Sequence, residues 1–248
     1  MNDSQFAIRF EQVSKTFGEK RVLDRVSFEI ERGLSFCILG RSGTGKSVTL
    51  KLIDGLIKPN EGTISVEGQT ITNLDSRELV PIRKKMGFLF QSGALFDSIT
   101  IGENVAYPLR RHTKKSEQEI KQRVREKLGL VGLENDVNKM PDELSGGMRK
   151  RAALARALAL DPSILLVDEP SAGLDPITSR DIDDLLLSLK SRDTTLVVVT
   201  HNIPSARKIG DQLAILHEGH IIARGRAQEL EKSDNELVRE LLQSTGGG

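Results

Sequence analysis

The chain has 248 residues, 38% hydrophobic and 29% charged, with 36 Lys+Arg against 35 Asp+Glu for a net charge of +1. That balance excludes a disordered chain and a protein that coats nucleic acid through bulk charge, and the length suits one domain with an inserted lobe. No stretch nears the run of about 18–20 apolar residues that crosses a bilayer, and residues 1–6 lack a basic segment leading into an apolar one, which predicts a cytoplasmic protein.

Residues 6–13 and 22–30 alternate apolar and polar side chains, as half-exposed strands do, and should pair antiparallel beside the strand that follows. That next strand, 34–39, is a short apolar run holding the single cysteine, Cys37, which rules out an internal disulfide and reads as a buried thiol. A glycine-rich turn at 40–47 leads into a helix over 47–53, and 62–68 reads as another strand between turns. From Gln91 to Asp161 strand signals give way to helical ones, at 115–130 and at the alanine-rich 148–160, which predicts an inserted helical lobe. Residues 164–167 and 195–200 are near-continuous apolar runs, the mark of parallel strands covered on both faces. Strands at 212–217 and 221–225 joined at Glu218 and Gly219, a last helix over 235–243 and a flexible end at 246–248 complete an α/β chain. The division is one domain over 1–245: a core of 1–90 and 162–232, a helical lobe of 91–161, and a C-terminal helix and tail from 233 to 248.

Gly40, Arg41, Ser42, Gly43, Thr44, Gly45, Lys46 and Ser47 fit the pattern Gly-x-x-x-x-Gly-Lys-Ser/Thr, with a strand before and a helix after. The glycines let backbone N–H groups turn inward onto phosphate oxygens, and the helix that continues through Val48 adds its positive end. Lys46 reaches the β- and γ-phosphates, and the Ser47 hydroxyl takes a place on Mg²⁺. Asp168 and Glu169 close the apolar strand at 164–167, at the sheet edge where the phosphates lie. Asp168 can hold Mg²⁺ there, and Glu169 can polarise a water in line with the γ-phosphate. The plainer reading, a solvated acid pair, fits poorly after four apolar residues. His201 follows the strand ending at Thr200 and can hydrogen-bond the γ-phosphate, whereas His112, His217 and His220 read as incidental.

The ordered set of this loop, Gln91, the run Leu144, Ser145, Gly146, Gly147, then Asp168, Glu169, Asp175 and His201 resembles the nucleotide-binding subunit of ABC transporters over nearly the whole chain. The resemblance implies a P-loop NTPase of the ABC type, with an antiparallel β subdomain and an inserted helical subdomain, that binds ATP and Mg²⁺ and hydrolyses ATP. It implies that Phe17 stacks under adenine, although core packing is an equal reading of a single Phe before Gly18. Gln91 would contact Mg²⁺ or the attacking water. Ser145, Gly146 and Gly147 would bond the γ-phosphate of ATP held by a second copy, with Asp175 across the same interface. Where the family commonly has Gln, this chain has Met148, and the basic run Arg149, Lys150, Arg151 reads as a solvated helix face, with Arg151 and Arg156 at positions basic across the family.

Residues 91–110 together with the Met148 signature resemble, more narrowly, the ATPases of MCE-type phospholipid transporters. That implies a homodimer on the cytoplasmic face of the bacterial inner membrane, under a permease of the MlaE type, with an MCE-type periplasmic lipid-binding protein, a STAS-domain cytoplasmic subunit on the helical lobe and no nucleic acid. Gly93, Ala94, Leu95 and Phe96 suit a groove for a permease helix, or equally the lobe's own core. The competing readings are an ABC transporter of another solute, such as an amino acid, and a soluble ABC-type ATPase acting on DNA or ribosomes.

Overall fold

A computed structural model describes residues 5–190 and 194–243; the glycine tail at 246–248 lies outside them. In chain order the elements are β1 (Phe6–Phe17), β2 (Lys20–Glu31), β3 (Ser35–Leu39), α1 (Lys46–Ile53), β4 (Glu61–Val66), β5 (Gln69–Thr70), α2 (Val80–Arg83), β6 (Met86–Leu89), α3 (Ile101–His112), α4 (Glu117–Leu130) and α5 (Gly146–Ala157). Then follow β7 (Ile164–Asp168), α6 (Pro176–Lys190), β8 (Thr195–Thr200), α7 (Ile203–Ile209), β9 (Gln212–His217), β10 (His220–Gly225), α8 (Ala227–Leu230) and α9 (Glu236–Gln243).

The strands form two sheets, of order β2-β1-β4-β5 and β10-β9-β3-β8-β7-β6. In the second, β6, β7, β8, β3 and β9 run parallel and β10 returns antiparallel to β9. The antiparallel strands pair as the sequence suggested and make a sheet of their own, stacked on the face of the sheet that holds β3.

Side-chain alternation divides the core between the two faces of the parallel sheet. Phe36, Ile38, Ile164, Leu166, Val197 and Val199 pack with α1 and the antiparallel sheet. Cys37, Leu39, Leu165, Val167, Leu196 and Val198 pack with α3, α4, α5, α6, α7 and α9. Both faces are covered, which is why these strands read as unbroken apolar runs. Phe10, Phe28 and Phe36 stack in sequence, with centroids 4.4 and 5.4 Å apart, across the junction of the two sheets.

Besides the short β5, α2, α7 and α8, three elements that pack the core were not evident in the sequence. Ile101, Val105 and Leu109 of α3 are buried at helical spacing and Thr100 caps the helix by accepting from Glu103 N, but Pro108 inside it obscures the pattern. The apolar stripe of α6 follows an Asp-Pro start at Asp175 and Pro176, and β6 is only four residues long. The expected helix at 115–130 begins at Glu117 behind a Ser116 capping box with Glu119.

Candidate functional site

The glycine-rich loop leaves the parallel sheet at the end of β3 and delivers the chain into α1. Gly43 and Gly45 hold φ of 77° and 106°, and a Cβ on Gly45 would come 3.0 Å from Val22 Cγ1 and 3.1 Å from Val22 O. Only glycine suits that position. Gly45 caps α1 without a side-chain bond, so the first-turn N–H groups are available to an anion. Thr44 Oγ1 donates to Arg41 O at 2.9 Å and braces the turn.

Lys46 is buried beneath this loop. Its Nζ donates to Gly40 O at 2.9 Å and Arg41 O at 3.1 Å, and stands 3.2 Å from Glu169 Oε1. Ser47 Oγ donates to Asp168 Oδ1 at 2.8 Å, so strand β7 and the loop meet through these two pairs. Burial pushes the Asp168 carboxyl above the ordinary carboxylate range, opposed by the Ser47 hydroxyl.

Glu169 follows β7 with φ of 45°, in the left-handed region, and its N–H donates to Val199 O at 2.9 Å. Its other carboxylate oxygen, Oε2, lies 2.9 Å from His201 Nδ1 and accepts from His201 N at 3.3 Å. A carboxylate oxygen facing a ring nitrogen accepts, so the proton of this contact sits on Nδ1 of the histidine.

Phe17, Val22, Arg41, Ser42, Gly43, Gly45, Lys46, Ser47, Val48, Gln91, Glu169 and His201 line one cleft of about 550 Å³. Phe17 is 48% exposed, so it is not the core residue that was its alternative reading. Val22 was not anticipated, since nothing in a strand-forming valine marks it as a wall of a site.

Ser145, Gly146, Gly147 and Asp175 do not line that cleft. They form a second surface: Ser145 caps α5 through Met148 N, and a Cβ on Gly147 would meet Thr178 Cγ2 at 2.4 Å. Asp175 in turn accepts from Ile177 N and Thr178 N, each at 3.0 Å, and from Thr178 Oγ1 at 2.5 Å. The basic run after Met148 departs from its expected solvated face. Arg149 is exposed and Arg151 pairs with Asp181 at 3.0 Å, but Lys150 is buried, 6% exposed, and its ammonium donates to Gln91 O and, at 3.4 Å, to Glu169 O. Helical spacing from Gly147 and to Leu154, both buried, was the available signal.

The sequence profile described as ABC transporter matches residues 23–172. The chain belongs to the ABC transporter family. This ABC protein is 46% identical, over 95% of its length, to the probable ribonucleotide transport ATP-binding protein Mkl of Mycobacterium leprae, and spans 68% of that relative. It is 42% identical, again over 95% of its length, to the intermembrane phospholipid transport system ATP-binding protein MlaF of Escherichia coli, spanning 88% of it. Its fold matches a dimeric ATP-binding cassette in a post-hydrolysis state with ADP and Pi, at a TM-score of 0.82 and 37% identity, over 88% of this chain and 98% of that one. The ABC protein is thus an ATP-binding cassette ATPase. No helix among its described residues is long and apolar enough to cross a membrane. Nor do they hold a cluster of three or more His, Cys, Asp or Glu suited to a metal. One hydroxyl and one carboxylate, as at Ser47 and Asp168, nevertheless fit Mg²⁺, which takes few protein ligands and completes its shell with phosphate and water.

Proposed function

We propose that this ABC ATPase drives phospholipid transport between the inner and outer membranes of a bacterium, as an ATP-sandwich homodimer on the cytoplasmic face of the inner membrane. The support for the lipid reading is the similarity to MlaF across nearly the full length of both chains. The similarity to a ribonucleotide transport protein favours a nucleotide as the second reading. The partners are an MlaE-like permease, an MCE-type lipid-binding protein and a STAS-domain subunit on the helical lobe. Permease docking falls on the segment after Gln91. There Leu95 is half-buried against the lobe's own core, so the exposed pair Phe96 and Tyr107, with centroids 5.1 Å apart, is what a membrane helix meets.

The observation that carries the chemistry is the Glu169 carboxylate set between Lys46 and His201 at 3.2 and 2.9 Å. ATP brings its β- and γ-phosphates to the loop N–H groups and takes the Lys46 ammonium, which frees Glu169 Oε1 to accept a proton from the attacking water. Ser47, Asp168 and Gln91 would hold Mg²⁺, whose charge would neutralise phosphate oxygens. His201 steadies Glu169 through Nδ1–H, and a hydrogen bond from Nε2 to a γ-phosphate oxygen requires a proton there as well, as in the imidazolium. Phe17 stacks on the adenine, and Arg41, Ser42 and Val48 wall the phosphate channel. Ser145, Gly146, Gly147 and Asp175 of a second copy complete each site, where losing one preorganised donor costs about 3 kcal/mol.

The test is reconstitution with the permease complex in liposomes carrying a fluorescent phospholipid and a labelled ribonucleotide. Wild-type protein should move the lipid on ATP addition, and Glu169→Gln should bind ATP and dimerise but hydrolyse it about 10²–10⁴-fold more slowly, with no lipid movement. Normal turnover in that variant would remove Glu169 as the base. Ribonucleotide movement without lipid movement would overturn the substrate.

A further inference from the structure

Lys150 is a buried cation that the functional reading above leaves without a role. It sits one turn into α5, the helix that begins at the signature glycines, and shares a stripe with Gly147 and Leu154. Its ammonium reaches two main-chain carbonyls from different elements, Gln91 O and Glu169 O. A bare ammonium in this interior would cost several kcal/mol, and two neutral carbonyls offset that only in part. Burial pulls the Lys150 ammonium toward deprotonation, and the nearby Asp168 and Glu169 carboxylates pull it back.

Glu169 is held in the left-handed region, its N–H fixed to β8 through Val199 O and its carbonyl facing Lys150. Backbone strain of this kind persists only where neighbours over-determine it. Gln91 opens a segment that α5 grips again further on: Arg156 donates to Gly93 O at 3.0 Å and Ala94 O at 2.7 Å, and a Cβ on Gly93 would lie 3.4 Å from Ala153 Cβ. The geometry points to Lys150 as a positioning residue for ATP hydrolysis, through which the signature helix sets the main chain of Gln91 and of Glu169 together. One rigid helix then links the surface that meets the partner copy's nucleotide to the water-activating carboxylate of its own site. This inference rests on the proposed roles of the signature and Glu169.

The experiment measures kcat, ATP Kd with a fluorescent nucleotide, and Tm in the full-length protein. Lys150→Met keeps the length of the side chain and removes the ammonium. Its kcat should fall at least fivefold with ATP Kd within twofold of wild type, while Lys150→Arg, which keeps the charge and donors, should retain most of the activity. A purely structural lysine would move Tm and Kd together and gain nothing from arginine. In a Glu169→Gln background Lys150→Met should add less than a threefold loss, because its effect passes through the residue already removed. A fall in kcat of less than fivefold, an equal loss of ATP affinity, an arginine variant no better than methionine, or a full multiplicative loss in the double variant would each overturn the inference. Lys150→Gln, a donor too short to span both carbonyls, gives the same reading if Lys150→Met does not fold. Normal turnover in Glu169→Gln alone would overturn the base assignment instead, and would leave the methionine and arginine comparison intact.

Discussion

Glu169 occupies a backbone conformation that costs an ordinary L-residue roughly 1–2 kcal/mol. It keeps that geometry because Val199 O, Lys46, His201 and Lys150 hold it on four sides. Lys46 is shared between two roles, as it cross-braces its own loop through Gly40 O and Arg41 O and neutralises Glu169. Lys46→Ala should therefore weaken ATP binding about 100-fold or more, read by fluorescent-nucleotide titration. The loss of a charge-assisted contact to phosphate sums there with an uncompensated Glu169 charge at 6% exposure. Retained tight binding would sink the assignment.

Among the elements, α3 shows how a buried polar side chain shapes a loop. Asn104 is fully buried; its side chain accepts from Phe96 N at 2.8 Å and donates to Phe96 O, Ile99 O and Thr100 O at 3.1, 3.3 and 3.0 Å. The amide oxygen accepts one bond and the NH₂ group is shared over three carbonyls, and the turn after Gln91 closes around it. Asn104→Leu should cost about 2 kcal/mol, because the Phe96 N–H and the Phe96 and Ile99 carbonyls lose their side-chain partner, while Thr100 O keeps the Asn104 N–H. A lower urea midpoint with unchanged ATP affinity is the expected result, since the nucleotide cleft is built by other elements. The signature helix α5 was legible from its alanine-rich pattern, but its inward lysine was not. A run of three basic residues looks solvated until the helix phase assigns one of them to the packed side.

At the scale of the molecule, Glu67 ties the two sheets together. Lying between β4 and β5, it accepts from Arg32 Nη1 at 2.7 Å beyond β2, from Lys85 Nζ at 3.0 Å before β6 and from Ser163 Oγ at 2.9 Å before β7. Burial raises its carboxyl, but the bonds from Lys85, Ser163 and Arg32 outweigh that and hold it below the ordinary carboxylate range. A depressed folded pKa contributes stability above the unfolded value of about 4.3, which is lost as pH falls through the lower folded value. Glu67→Gln should thus lower Tm by about 4 °C near neutral pH, on a contribution of about 1–2 kcal/mol. The difference from wild type should shrink as pH falls below about 4.3 and vanish once pH is below the depressed folded value. A constant difference across that window would deny the linkage.

The local chemistry was determined by the sequence itself. The loop at Gly40–Ser47, the acids ending an apolar strand and the run from Leu144 to Gly147 are short contiguous patterns, and each type is dictated by a backbone turn, a sheet edge or a helix start that neighbouring residues specify. What the tertiary structure decided is everything that depends on facing direction between distant segments. It stacked the antiparallel sheet on one face of the parallel sheet, placed Glu169 between Lys46 and His201, and turned Lys150 inward onto Gln91 and Glu169. Those contacts join residues tens of positions apart, and whether a side chain meets solvent or a partner carbonyl is settled only when whole elements pack.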